Sequence, residues 1–70
     1  MIPLTASEAE KVLKRNGFVH VRTVGSHFQW INVATRRNVT IPHHGNRQLQ
    51  QRTLKSIVRQ SGLPESAFVR

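Results

Sequence analysis

Two breaks, Asn16-Gly17 and Gly25-Ser26, constrain this chain more than any other feature. Before the first, apolar residues recur at helical spacing. Between the two, Phe18 to Val24 is β-branched and aromatic in alternation with His20 and Arg22, which reads as a strand rather than as more helix. Glycine enters the left-handed region at no steric cost, so Asn16-Gly17 ends a helix and Gly25-Ser26 turns one strand back on the next. A chain punctuated in this way folds as a helix followed by antiparallel sheet.

The remaining elements follow from the same signals. Thr5-Ala6-Ser7-Glu8 has the spacing of a capping box, and Leu4 and Ala9 stand where a hydrophobic staple closes. Ala9, Val12 and Leu13 then form one apolar stripe, leaving Lys11, Lys14 and Arg15 outside it. A second strand is expected at about His27 to Val33 and a third at about Asn38 to Ile41, joined by Ala34 to Arg37 and stopped by Pro42. After the loop His43-His44-Gly45-Asn46, Leu54, Ile57 and Val58 mark a helix over roughly Gln51 to Gln60, closed by Ser61-Gly62. Pro64 opens a final helical turn that returns Ala67 and Phe68 to the core. The expected order is α-β-β-β-α, a meander with one face under helices and the other wet, and residues 4 to 69 read as one compact unit.

Charge narrows the partner. Eleven Lys and Arg face three Asp and Glu, giving a formal charge of +8, so most cations lack an acid to pair with and a polyanion is the first expectation. With no Cys, a disulfide framework, a thiolate nucleophile and thiolate zinc sites are excluded. No cofactor is implied. Short apolar runs and an opening without a basic stretch before an apolar one argue against a membrane span or signal peptide, so a soluble, cytoplasmic protein is expected.

One imidazole stands out. Cleaving RNA requires that a 2′-hydroxyl lose a proton and attack its own phosphate while the leaving 5′-oxygen gains one, and a histidine serves either step without metal. His27 follows the Gly25-Ser26 turn, where the backbone can approach closely and the two amides can face a phosphate. If Phe28 and Trp30 point under the helices, alternation exposes His27, Gln29 and Ile31 on the opposite face. Ile31 and Val33 share that face, so on residues alone the sheet can be read either way round, and His27 as a plain strand residue stands beside the catalytic reading. His43 and His44, as adjacent residues, point apart and do not grip one metal; they read as polar loop residues. Arg22, Arg36, Arg37 and Arg47 are placed to ring the open face and neutralise phosphates. Trp30 and the three phenylalanines read as core rather than as base platforms.

In order and spacing, these segments resemble the HicA-type mRNA interferase toxins of bacterial toxin–antitoxin systems. The resemblance runs from the leading helix and Asn16-Gly17-Phe18 through Arg22 and Gly25-Ser26-His27. It continues in Val39-Thr40-Ile41-Pro42-His43-His44-Gly45 and ends with Thr53 to Leu63. It implies a double-stranded-RNA-binding-domain-like α+β fold, a single toxin domain over residues 1–70, and His27 as the catalytic residue. It further implies metal-free, ribosome-independent cleavage of mRNA, with a HicB-type antitoxin that covers the active site. Flanking Gly25 and Ser26 amides with Arg22, Arg36 and Arg37 are then expected to contact RNA. The chain departs from the family pattern at Phe28, where a polar residue or a second histidine is frequent. It departs again in Ala34-Thr35-Arg36-Arg37, which lacks the usual glycine of the second hairpin. The competing readings are a non-catalytic double-stranded-RNA-binding module and a basic adaptor for an acidic protein.

Overall fold

The computed structural model describes the whole chain, Met1–Arg70. Helix α1 spans Ala6–Arg15, strands β1, β2 and β3 span Val19–Val24, His27–Asn32 and Arg37–Pro42, and helix α2 spans Gln51–Ser61, followed by a 3-10 turn at Glu65–Ala67. The strands form one antiparallel sheet in the order β1-β2-β3. This is the expected α-β-β-β-α order. No helix is long and apolar enough to cross a membrane.

Local chemistry explains where α1 begins and ends. The Thr5 hydroxyl accepts the Glu8 amide at 3.2 Å, and the Glu8 carboxylate accepts the Thr5 amide at 2.9 Å, which satisfies two amides that the first helical turn leaves unpaired. Leu4 and Ala9 are both fully buried, as a staple requires. At the other end Asn16 caps the helix, and Gly17 at φ +88° redirects the chain into β1. Helix α2 ends on Gly62 at φ +71°. The guanidinium of Arg37 lies against that glycine so closely that a Cβ there would come within 2.5 Å of Arg37 Nε.

The core lies between the helices and one face of the sheet. Ala6, Ala9, Val12 and Leu13 from α1 and Leu54 and Ile57 from α2 close over Trp30, Val39 and Ile41, with Phe18 and Phe68 sealing the ends. Phe68 reaches the core from the 3-10 turn, as the placement of Pro64 predicts. Both helices sit over β3, and β1 is exposed along its length.

Strand boundaries differ by a residue or two from the sequence reading, for identifiable reasons. β2 stops at Asn32 rather than Val33 because the Asn32 side chain turns back to accept the Ala34 and Thr35 amides. β3 includes Pro42, paired with His27 at the end of an edge strand, where the missing N–H interrupts no ladder. The register of β1 on β2 slips between His20 and Arg22, leaving Val21 unpaired in a bulge. Strict alternation would put His20 and Arg22 on one face. The slip instead pairs His20 with the core-facing Trp30 and Arg22 with Gln29 on the open face.

Candidate functional site

The ambiguity of the sheet resolves in one direction. Phe28, Trp30 and Asn32 face the helices, so His27, Gln29 and Ile31 lie on the face no helix covers. His27 is the first residue of β2, exposed, and paired with Val24 across the two-residue turn. Gly25 takes φ +61° and Ser26 a negative φ, the pattern of a type II′ turn, whose twist matches that of the strands it joins. A Cβ at Gly25 would meet nothing within 4 Å, so glycine is needed there for its backbone angle and not for space. Neither the Gly25 nor the Ser26 amide donates to another group of the chain, whereas the Ser26 carbonyl accepts the His43 amide at 2.8 Å. Ring hydrogen bonds are made by His20 to Thr23 and by His43 to Glu10, and none by His27.

The β1 bulge brings a cation to this turn. Arg22 Nε donates to Gln29 Oε1 at 3.1 Å, which holds the guanidinium on the open face with its terminal nitrogens unused. On the other side of His27, beyond its partner Pro42, opens a polar groove of about 380 Å³ lined by His44, Arg47, Gln48, Gln50 and Thr53. Arg22, Arg47 and the Gly25-Ser26 amides thus gather at the end of the sheet that carries His27. Arg36 and Arg37 do not join them. Both stand at the opposite end of β2, about 17 Å away by strand rise, and Arg37 shares the helix side with Val39 and Ile41, resting on Gly62.

Behind the turn, on the helix side, lies an arrangement that the sequence reading missed. Glu10 of α1 presents both carboxylate oxygens inward: Oε2 accepts Trp30 Nε1 at 2.8 Å, and Oε1 meets His43 Nε2 at 2.7 Å. The His43 ring rests on Phe28 with centroids 4.1 Å apart, and Phe28 stacks in turn on His20 at 5.3 Å. His43, read from sequence as a polar loop residue, is therefore half-buried, while its neighbour His44 turns towards the groove. One signal was available. Glu10 is four residues after Ala6 and three before Leu13, on the edge of the buried stripe, where a carboxylate requires partners.

No group of three or more His, Cys, Asp or Glu is placed to hold a metal ion. What the open face offers is an unencumbered imidazole and two unused amides at the turn, with a guanidinium held over Gln29 on the same face. That combination can move a proton beside an anion and stabilise negative charge developing on it. Compared with known families, residues 6–63 match the model described as HicA toxin of bacterial toxin-antitoxin. No curated protein matches the chain.

Proposed function

Because the chain belongs to the HicA toxin family of bacterial toxin–antitoxin systems, we propose that it is a metal-free endoribonuclease that cleaves mRNA in the cytoplasm without the ribosome, using His27 for proton transfer. Membership in that family implies a cognate antitoxin partner. The observation that carries the reading is the exposed, unbonded His27 ring on its glycine turn, at the rim of the uncovered sheet face.

The chemistry needs little more. RNA lies across the open face with a phosphate against the Gly25 and Ser26 amides. His27 accepts the proton of the 2′-hydroxyl, whose oxygen attacks the adjacent phosphorus. The bond to the 5′-oxygen breaks, leaving a 2′,3′-cyclic phosphate on one fragment and, with a proton taken from solvent water, a 5′-hydroxyl on the other, after which the His27 imidazolium returns its proton to solvent. Arg22 and the two amides stabilise the charge that accumulates on the phosphorane oxygens. Arg47 and the groove beyond Pro42 receive the flanking backbone, and Arg36, at the far hairpin, engages phosphates further along the strand. Arg37 contributes positive potential from the helix side. The antitoxin is of HicB type, acidic towards this face, and inhibits by covering His27.

Inducible expression of the parent and of His27→Ala in a bacterial host tests this, following growth and the integrity of a reporter transcript. Arrest with transcript cleavage by the parent alone is the expected result. Equal, harmless accumulation of both folded proteins, with salt-dependent affinity for duplex RNA in each, would replace the nuclease by a non-catalytic RNA-binding module.

A further inference from the structure

We propose that Glu10 and His43 form a strut that holds the His27 turn in its cleaving position; the proposal rests on the nuclease reading above. His43 is fastened at both ends. Its main-chain amide donates to the Ser26 carbonyl at 2.8 Å, and its ring meets Glu10 Oε1 at 2.7 Å while lying on Phe28, the residue directly after His27. Glu10 is itself fixed by the Trp30 indole at 2.8 Å, and its side chain is only 15% exposed. The turn is thereby tied to helix α1 through a single residue.

The strut acts through the backbone and touches no substrate. Alternation continued from Val39 and Ile41 puts the His43 ring on the helix side, whereas His27 stands on the open face. Tethering matters here because Gly25 is conformationally permissive and the turn's own amides are unbonded within the chain. Beyond the strand ladder, the hydrogen bond from His43 is the polar contact that fixes the Ser26 carbonyl. A misplacement of about 1 Å at a reacting group can lower a rate about a hundredfold. His43 and Glu10 are thus positioning residues.

The test compares the purified parent with Glu10→Ala, Glu10→Gln, His43→Ala and Val12→Ala. RNA cleavage is measured at a temperature where circular dichroism shows each protein folded, and amide exchange at position 43 is followed by NMR. Glu10→Ala and His43→Ala are expected to lose about tenfold to a hundredfold in kcat, with KM little changed and faster exchange at position 43. Glu10→Gln recovers most of the rate, since its carboxamide can accept from Trp30 and donate to His43. Val12→Ala loosens the packing of the same helix on the core without touching the strut and keeps the parental kcat. Parental kcat in the folded Glu10→Ala or His43→Ala protein, or unchanged exchange at position 43, overturns the strut, as does an equal loss in Val12→Ala. An inactive parent would sink the nuclease reading instead, and the exchange measurement would then judge the strut alone.

Discussion

The two hairpins of the sheet solve the same problem by different means. Between β1 and β2, a two-residue turn relies on a glycine at φ +61°, and almost everything it carries points outward. Between β2 and β3, a longer loop places Arg36, a non-glycine residue, at φ +60°, where an L side chain is strained. What holds the second loop is Asn32. Its Oδ1 accepts the Ala34 and Thr35 amides at 3.0 and 3.2 Å, and its Nδ2 donates to the Asn16 carbonyl at 3.1 Å, so the loop is clamped to the end of α1. The first hairpin presents an exposed imidazole, His27, that no other group of the chain holds. The second spends its residues on stability. Substitution of His27 in the first should therefore move activity, and substitution of Asn32 in the second the folding free energy.

The sharpest separation is expected from His27→Ala. On the proposed function, losing His27 removes the proton-transfer group and lowers the cleavage rate by about a hundredfold to ten-thousandfold, while removal of an exposed, unbonded ring leaves the unfolding free energy within about 0.5 kcal/mol. Single-turnover cleavage and urea titration read the two quantities; a collapse of the fold would break the contrast outright. Asn32→Ala is the converse. Two loop amides and the Asn16 carbonyl lose their partner, so the midpoint of urea unfolding drops by the equivalent of about 2 kcal/mol or more, with the rate constant of the folded protein retained. Gly25→Ala comes next, at about 1 kcal/mol of left-handed backbone strain, since the added methyl meets no neighbour. The smallest effect is a gain. Arg36→Gly relieves its own strain and gives back part of the benefit as unfolded-chain entropy, leaving a net stabilisation of about 0.5 kcal/mol. A loss there would mean that the Arg36 side chain, rather than Asn32, supports the loop.

The same contrast explains what could be read from the sequence. The Thr5-Glu8 box, the Asn16-Gly17 stop, the Gly25-Ser26 turn and the Gly62 cap are local instructions, each complete within a few residues, and each is found in the fold where it was expected. The β1 bulge carries no such mark. Val21 is an ordinary strand residue, and only the register against β2 shows that it is skipped, which is why the company Arg22 keeps with Gln29 was not legible. The pairing of Glu10 with His43 spans 33 positions, and the clamp of Asn32 on Asn16 spans 16. Both depend on how the helix docks on the sheet, a fact that no short window contains. Grouping Arg22, Arg36, Arg37 and Arg47 around one face followed from charge alone; the fold divides them between the two ends of β2.

All three acids are turned towards the chain's own groups. Glu8 answers Thr5, Glu10 answers Trp30 and His43, and Glu65 lies 3.9 Å from the terminal amine of Met1. The eleven Lys and Arg are left to repel one another across a body only 29 × 29 × 18 Å in extent, about three times the Debye length of about 10 Å at 0.1 M salt in its longest direction. Ionic strength then acts on this molecule with two opposite signs: it screens the self-repulsion and firms the fold, and it competes for the cations and loosens the grip on any polyanion.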